Sequence, residues 1–210
     1  VLLALPLIGF GQTVTIPDAI FKAYLVGNTN INTNGDNQIQ VSEASAFGGG
    51  IYCYNMGIYD LTGIEAFTAL TTLNCEGNQL TSLNVSQNTA LTNLMCSTNV
   101  LTSLNVSQNT ALTGLDCNDN QLTSLDVSGA TALTYLRCED NQLTSLNLSQ
   151  NTALISLWCH NNDLTSLDVS QNTALTNLSC GGNPLGSLDV SQNTALTKLY
   201  CYRNQLTSLN

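Results

Sequence analysis

Residues 70–90 read LTTLNCEGNQLTSLNVSQNTA, and residues 91–111 read LTNLMCSTNVLTSLNVSQNTA. The same frame, LxxLxCxxNxLTSLxVSxNTA, fills six successive units of 21 residues between residues 70 and 195, and a seventh unit begins at Leu196. A degenerate unit of 22 residues comes before them and places Cys53 ahead of the regular cysteines. A repeat of this length indicates that stacked units, and not one globular core, set the fold.

Each unit begins with a short strand. The Leu at frame position 4 and the Cys at position 6 alternate with positions 3, 5 and 7, as the two faces of a strand do. Leu73 and Cys75 are therefore predicted to point inward, and Thr72, Asn74 and Glu76 outward. Stacking sets neighbouring strands about 4.8 Å apart in a parallel sheet and buries leucines that one unit alone would expose.

The frame matches the leucine-rich-repeat pattern, with Cys in place of its third Leu. We therefore predict a repeat solenoid with short parallel β-strands and a mostly irregular convex side. Leu80, Leu83 and Val85, with their equivalents, fill the core behind the sheet. The Asn at frame position 9 is predicted to be buried, with its amide bound to turn backbone groups. These residues are Asn78, Asn99, Asn120, Asn141, Asn162, Asn183 and Asn204.

Composition excludes several classes of function. The 210 residues carry 14 acidic and 4 basic side chains, a net charge of −10. Such a chain repels phosphate, so nucleic acids and anionic membrane surfaces are poor partners. Hydrophobic residues make up 43% and recur regularly, which argues against disorder.

The two ends of the sequence look incomplete. Residues 1–11, VLLALPLIGFG, are apolar but too short to span a bilayer, which takes about 20 residues. We interpret them as the remnant of a signal peptide, cut before Gln12; the alternative is a buried N-terminal strand. The array, residues 51–210, stops at Asn210 in mid-repeat, so we expect it to be incomplete at the C-terminus.

The eight cysteines allow two interpretations. An even number in a secreted chain suggests disulfides. Neighbouring cysteines of the array, however, share one inward strand position, so their side chains run parallel and do not face one another. We therefore favour a ladder of buried free thiols that act as small hydrophobic groups. Zinc is disfavoured because no CxxC pair exists, and Cys159 and His160 point to opposite faces of a strand, which disfavours thiol catalysis.

Residues 12–50 are predicted to form an α-helical N-terminal cap. Pro17–Val26 reads as a short helix whose apolar stripe is Ile20, Phe21, Tyr24 and Leu25, and Gly27 ends it. The next segment, NTNGDNQIQVSE at residues 32–43, matches a twelve-residue EF-hand loop. The predicted calcium ligands are Asn32, Asn34, Asp36, Gln38 and Glu43.

The alternative for this loop is a polar turn between two cap helices, in which Asn and Gly serve turn geometry. Only Asp36 and Glu43 supply carboxylates, and residues 27–31 make a poor last turn for an entering helix. If calcium binds, two carboxylates place the affinity at about 10⁻⁴ to 10⁻³ M, as in extracellular modules. Calcium is the only cofactor that the sequence suggests.

The repeats, preceded by IPDAIFKAYL and by DLTGIEAFTALTTL, resemble bacterial secreted or surface leucine-rich-repeat proteins of the internalin kind over residues 13–210. The 21-residue period and the cysteines depart from the 22-residue unit of that family. The resemblance implies an extracellular binding or adhesion role, a secreted or cell-surface location and no catalysis. It also implies that a sorting or anchoring domain often follows such repeats.

Rare residues are concentrated at frame positions 3, 5, 7 and 8, on or just after the strand, whereas the rest of the frame hardly varies. The aromatic residues beyond Leu70, the single His and the three bases of the array all lie there. Aromatics and Arg dominate recognition hot spots, and solenoids present such residues on a concave face. The predicted ligand-binding residues are Tyr135, Arg137, Glu139, Asp140, Trp158, His160, Lys198, Tyr200, Tyr202 and Arg203.

The predicted register makes these residues neighbours. Arg137 lies beside Trp158, and Glu139 beside His160, a pair that would favour charged His160 and make binding sensitive to pH near about 6–7. A dip about 10 Å wide is expected between Trp158 and Tyr200 with Tyr202, across the small residues Asn177, Ser179 and Gly181. Its size suits a sugar ring or a peptide side chain. The alternative is drift at positions that packing leaves free.

Three functions are compared. The first is a secreted or cell-surface module, monomeric, that recognises a protein or a glycan on its concave face. The second is a passive structural spacer or adhesin stalk, which needs only the array. The third is an enzyme, in which Glu139 and His160 would act as an acid–base pair. We do not expect catalysis, because a sheet face offers no deep pocket and the sequence shows no nucleophile with an oxyanion site.

Overall fold

A computed structural model describes residues 11–210 of the chain. The signal-peptide interpretation of residues 1–11 therefore lies, except for Gly11, outside the described residues. No helix within residues 11–210 has the length and apolar composition to cross a membrane.

The array is a solenoid, which confirms the predicted fold. One parallel sheet of eight short strands runs along it, in the order β1-β2-β3-β5-β7-β8-β9-β11. Leucines or Ile at frame position 4 pair in register from strand to strand, as Leu136 does with Leu157 and Leu157 with Leu178. The strands are β1 (Gly50–Tyr52), β2 (Thr72–Asn74), β3 (Asn93–Met95), β5 (Gly114–Asp116), β7 (Tyr135–Arg137), β8 (Ser156–Trp158), β9 (Asn177–Ser179) and β11 (Lys198–Tyr200).

Four further strands lie at frame positions 13–15 and form two small parallel sheets, one on each of two unit interfaces. The first sheet joins β4 (Ser103–Asn105) to β6 (Ser124–Asp126), and the second joins β10 (Ser187–Leu188) to β12 (Ser208–Leu209). This side of the solenoid is otherwise irregular within residues 11–210, as the frame predicts.

The cap contains helix α1 (Ala19–Gly27) and helix α2 (Val41–Ala46), and a 3-10 helix (Ile64–Ala66) follows β1. The predicted first helix, Pro17–Val26, therefore starts two residues too early, because Asp18 is the N-cap and its carboxylate accepts hydrogen bonds from the N–H groups of Ile20 and Phe21. Ile20 was also misplaced: it is exposed, whereas Phe21 and Leu25 are fully buried.

Two long-range hydrogen bonds fasten the cap to the array. The second carboxylate oxygen of Asp18 accepts from the backbone N–H of Tyr59 at 2.9 Å. The hydroxyl of Tyr24 accepts from the N–H of Tyr52 in β1, also at 2.9 Å. β1 is the edge strand of the sheet, so this N–H has no neighbouring strand to bond with, and the Tyr24 hydroxyl accepts its hydrogen bond instead.

The cysteines behave as the sequence predicts. All eight are free, seven are buried, and Cys201 is half-buried. Burial raises the pKa of the Cys53 and Cys180 thiols to about 12 and that of Cys75 well above its ordinary value. At neutral pH the ladder is therefore protonated and apolar.

A first asparagine column follows the strands at frame position 9. In a typical unit, the Asn99 amide donates to the carbonyls of Cys75 and Cys96, while its oxygen accepts from the N–H of Leu80. Five of the seven members are buried as predicted, and Asn120 and Asn204 are half-buried.

A second asparagine column, at frame position 19, was not predicted. The Asn109 amide donates to the carbonyls of Val85 and Asn88 in the preceding unit at 3.0 and 2.9 Å. The members are fully or almost fully buried, and they are Asn88, Asn109, Asn151, Asn172 and Asn193. Each therefore joins its own unit to the one before it.

This second column is interrupted at Ala130. Gly129 precedes it where other units have Gln, and a Cβ atom on Gly129 would lie 1.7 Å from the carbonyl oxygen of Ser107. The backbones of the two units approach closely here, and the same interface carries the β4–β6 pairing. The unit that has Ala130 in place of the column asparagine is thus joined to the preceding unit by the β4–β6 backbone hydrogen bonds.

Candidate functional site

The predicted ligand-binding residues fall on three kinds of position. Tyr135, Trp158, Lys198 and Tyr200 are strand residues with exposed side chains, and Arg137 is a half-buried strand residue. Glu139, His160 and Tyr202 stand at frame position 7, after the strand has ended. Asp140 and Arg203 stand at frame position 8, in the turn that follows.

Arg137 is the centre of a compact network. Its neighbour in β8 is Trp158, and the guanidinium carbon lies 4.8 Å from the centre of the Trp158 ring, as the register predicted. Its Nε donates to Glu139 at 2.8 Å, and a second nitrogen lies 3.4 Å from the Asp116 carboxylate. Because two carboxylates already neutralise Arg137, its main effect is to hold Trp158 in place.

Glu139 is not the outward ligand-binding residue that the alternation predicted. Its side chain is 2% exposed and accepts hydrogen bonds from the Arg137 guanidinium, although Tyr54 and Tyr202 at the same frame position are exposed. Burial raises the pKa of Glu139, although the Arg137 guanidinium opposes this shift. Its Oε2 atom has no hydrogen-bond partner within residues 11–210.

The predicted pairing of Glu139 with His160 does not form. Within the described residues, the ion pairs of Glu139 and Asp116 are both with Arg137. His160 turns to the next strand instead, where its Nδ1 lies 3.2 Å from the Ser179 hydroxyl and shares a hydrogen bond with it.

A pocket of about 310 Å³ lies where the dip was predicted. Trp158 and Tyr200 line two sides, and Ser179, between them on β9, lines the floor. The complete lining is Trp158, His160, Asn177, Leu178, Ser179, Lys198 and Tyr200. The structure thus brings four of the predicted ligand-binding residues together, and Asn177 and Ser179 lie between the aromatic walls as the register predicted.

Tyr202 does not line this pocket. It covers Gly181, where a Cβ atom would lie 3.0 Å from three atoms of the Tyr202 ring. Of the two predicted tyrosines, only Tyr200 therefore bounds the dip.

The residues at frame position 8 have a geometric role that the sequence analysis did not predict. Asp140 and Arg203 have φ angles of 54° and 52°, in the left-handed region, as have most equivalent residues. Asn, Asp and Gly tolerate this backbone, which explains why they recur at this position. Asp140 also accepts a hydrogen bond from the Asn161 amide at 2.8 Å.

A second exposed aromatic group stands at the other end of the concave face. Tyr52 in β1 pairs with Asn74 and occupies frame position 5, and Tyr54 occupies position 7. Both are more than half exposed. Extending the frame one unit back, to the degenerate repeat around Cys53, would have found them.

The predicted calcium loop lies between α1 and α2 and is closed by its own hydrogen bonds. Glu43 belongs to α2, and its Oε1 accepts from the N–H groups of Thr33 and Asn34 at 2.8 and 3.1 Å. Its Oε2 accepts from the N–H of Gln40 at 3.0 Å and completes a capping box. Partial burial acts to raise the pKa of Glu43, but these hydrogen bonds outweigh it and hold the pKa below its ordinary value.

The other predicted calcium ligands also have protein partners. The Asp36 carboxylate accepts from the Asn34 and Gln40 amides at 3.2 and 2.9 Å. The Asn32 amide donates to the Asp36 carbonyl, and the Gln38 side chain accepts from Lys22. Within residues 11–210, no three His, Cys, Asp or Glu side chains are grouped as a metal site, so calcium bound here would need amide or backbone oxygens in addition to the Asp36 and Glu43 carboxylates.

Comparisons with known proteins agree with this architecture. No protein-family model matches the chain. A segment of 36 residues is 53% identical to Internalin J of Listeria monocytogenes, and it makes up 17% of this chain and 4% of that protein. The chain therefore spans only a small part of the curated relative that it matches.

Two solved structures resemble the whole array. The functional domain of InlJ from Listeria monocytogenes, which includes a cysteine ladder, is similar with a TM-score of 0.53 and 31% identity, over 95% of this chain and 61% of that one. Internalin C2 from the same species is similar with a TM-score of 0.72 and 22% identity, over 92% of each chain, and this likeness concerns the fold alone. The likeness to leucine-rich-repeat proteins of this kind supports the interpretation of the chain as a repeat module for protein interactions. The chain is an internalin-like leucine-rich-repeat protein, with a helical cap and a ladder of free cysteines.

Proposed function

We propose that the chain is a secreted or cell-surface binding module that recognises its ligand on the C-terminal half of the concave face, with Trp158 at the centre. The observation that carries this proposal is the position of the Trp158 ring. It is 37% exposed, it is the only Trp in the chain, and Arg137 stacks against it from the neighbouring strand.

A ring held in this way favours binding. Arg137 is fixed by Glu139 and Asp116, so Trp158 loses little conformational freedom when a ligand arrives. Trp is among the residues that most often carry binding energy in interfaces. The pocket beside it offers a place for a projecting group of the ligand.

Binding is a better account of the site than catalysis. Ser179 and His160 are within hydrogen-bond distance, as a nucleophile and a base would be. A catalytic pair also needs a third group that orients the base, and Glu139 is bound to Arg137 instead. The site opens on a sheet face that does not exclude water.

Binding of immobilised extracellular proteins and glycans by the wild type, the Trp158→Ala variant and a Tyr59→Ala control tests the proposal. Tyr59 is an exposed tyrosine beside the cap, away from the proposed site. Trp158→Ala should cost about 2 kcal/mol of binding free energy and leave melting nearly unchanged, because the ring lies outside the core.

Two results would contradict the proposal. Lost stability with unchanged affinity would make Trp158 a packing residue. Failure of the wild type to bind any protein or glycan would favour a passive spacer or adhesin stalk.

A further inference from the structure

We propose that the slot between Trp158 and Tyr200 binds one ring of a neutral polysaccharide, with the two aromatic side chains against the faces of the sugar. The slot is defined by Trp158, His160, Asn177, Ser179, Lys198 and Tyr200. This proposal rests on the proposed function and specifies the class of ligand.

The spacing of the walls suits a puckered ring. Trp158 and Tyr200 occupy frame position 5 of β8 and β11, and β9 lies between them. Two strand steps separate the side chains by about 9.5 Å. Carbon atoms in contact lie about 3.5–4.0 Å apart, so two contacts take up about 7–8 Å and leave room for a ring that is not flat. A planar aromatic side chain would touch only one wall.

The walls and the ring are also electronically matched. The face of an aromatic ring is negative, so it attracts the weakly positive C–H groups on the apolar face of a pyranose. The volume of about 310 Å³ is small for a ligand pocket, where about 300–1,000 Å³ is usual, and therefore suits one or two sugar residues.

The floor supplies hydrogen-bond donors and acceptors at closely spaced points. Asn177 and Lys198 occupy frame position 3 of adjacent strands and pair in register. Their side chains make no hydrogen bond to other side chains or to the backbone within residues 11–210, and both are accessible to a ligand. The Ser179 hydroxyl, fixed by His160, adds a third polar group. Hydroxyl groups both donate and accept, so they fit a floor that contains an amide, an ammonium and a hydroxyl.

Charge favours a neutral sugar over an acidic one. Lys198 is a single positive charge in the slot, whereas the chain carries a net charge of −10. Glu139 and Asp140 lie on the unit next to that of Trp158, and Asp116 lies one unit further away; Arg137 alone pairs with Glu139 and Asp116. A polyanion would approach against this field, and a neutral chain would not.

Fluorescence of the single Trp gives a direct measurement. The experiment titrates the full chain with neutral hexasaccharides of glucose, mannose, galactose, xylose and N-acetylglucosamine. Hexagalacturonate is the acidic counterpart. We expect one or more neutral hexasaccharides to change the Trp158 emission saturably, and hexagalacturonate to bind at least about tenfold more weakly at low salt.

Three variants test the walls and the space between them. Tyr200→Ala should weaken neutral-sugar binding about tenfold, because one stacking face is lost. Ser179→Tyr should abolish binding by filling the slot, with the circular dichroism spectrum retained. Tyr59→Ala is the matched control and should keep the wild-type affinity.

The outcomes separate this proposal from the proposed function. If a protein ligand binds and Trp158→Ala weakens it, while no neutral sugar changes the emission, the concave-face function stands and the sugar proposal is overturned. Tighter binding of hexagalacturonate than of every neutral sugar would overturn the neutral class. Sugar binding that survives both Tyr200→Ala and Ser179→Tyr would place the sugar elsewhere and overturn the slot.

Discussion

The backbone N–H of Tyr59 donates a hydrogen bond of 2.9 Å to the carboxylate of Asp18, 41 residues earlier in the chain. The other oxygen of the same carboxylate caps helix α1. One side chain therefore fixes both the start of the cap helix and the contact between the cap and the first repeat.

Replacing Asp18 with Asn separates these two roles. The Asn oxygen can still cap α1, but the amide nitrogen cannot accept from Tyr59. We expect a loss of about 1–2 kcal/mol in the free energy of unfolding, measured by urea denaturation. Asp18→Ala should cost more because it removes both roles, and equal losses in the two variants would contradict this assignment.

The same carboxylate predicts a dependence on pH. Partial burial acts to raise the pKa of Asp18, but hydrogen bonds from the backbone N–H groups of Phe21, Tyr59, Ile20 and Asp60 outweigh it and lower the pKa. A lowered pKa in the folded state stabilises the protein fully above the unfolded value of about 3.9, and this stabilisation disappears as the pH falls through the folded value. The stability of Asp18→Asn should therefore fall less steeply in acid than that of the wild type.

Gly129 should tolerate no side chain. Its missing Cβ would lie 1.7 Å from the Ser107 carbonyl oxygen, so Gly129→Ala must move the backbone. We expect a loss of about 1–3 kcal/mol, measured by thermal and urea unfolding. Gln108→Ala changes an exposed side chain at the equivalent frame position and is the control. Similar losses in both variants would show that the close approach has no energetic weight.

The thiols should be unreactive until the fold opens. Ellman titration of the native protein should detect few thiols, beginning with half-buried Cys201, and close to eight after denaturation without reductant. Few thiols in both states would mean disulfides. Cys138→Ser should destabilise the protein by about 1–3 kcal/mol, because it buries a hydroxyl without a partner, and Cys201→Ser should cost less.

Calcium binding in the cap stays a prediction. If Asn32, Asn34, Asp36, Gln38 and Glu43 bind the ion, millimolar calcium should produce binding heat and raise the melting temperature. The ion must replace hydrogen bonds that Glu43 and Asp36 already accept, so weak binding is expected. Glu43→Gln should abolish the heat, and no heat with the wild type would leave the loop a polar turn.

The spacing of Leu73 and Cys75 was enough to predict the sheet, its register and the buried thiols, because a strand imposes its alternation without help from the rest of the fold. The same reasoning placed Arg137 beside Trp158. It failed at Glu139, because the contact that draws this carboxylate to the Arg137 guanidinium depends on side-chain packing, which the alternation does not describe.

Other features needed the three-dimensional structure. Asn109 lies in a polar run, SQNTA, that looks like surface sequence, and only the stacking of turns shows that the amide is buried. The turn role of Asp140 and Arg203 was hidden because Arg is not a residue that favours a left-handed backbone. Ser179, by contrast, could be placed from the register of the strands, because its small side chain lies between the strands that carry Trp158 and Tyr200.

The second asparagine column has a consequence for how such a gene can change. Asn109, Asn172 and Asn193 each bond the same two carbonyl positions of the preceding unit, so these interfaces are interchangeable. Unequal recombination could add or remove whole units there without creating a mismatched joint. The face of the sheet would become about 4.8 Å longer or shorter with each unit, so the length of the binding surface could change in small steps.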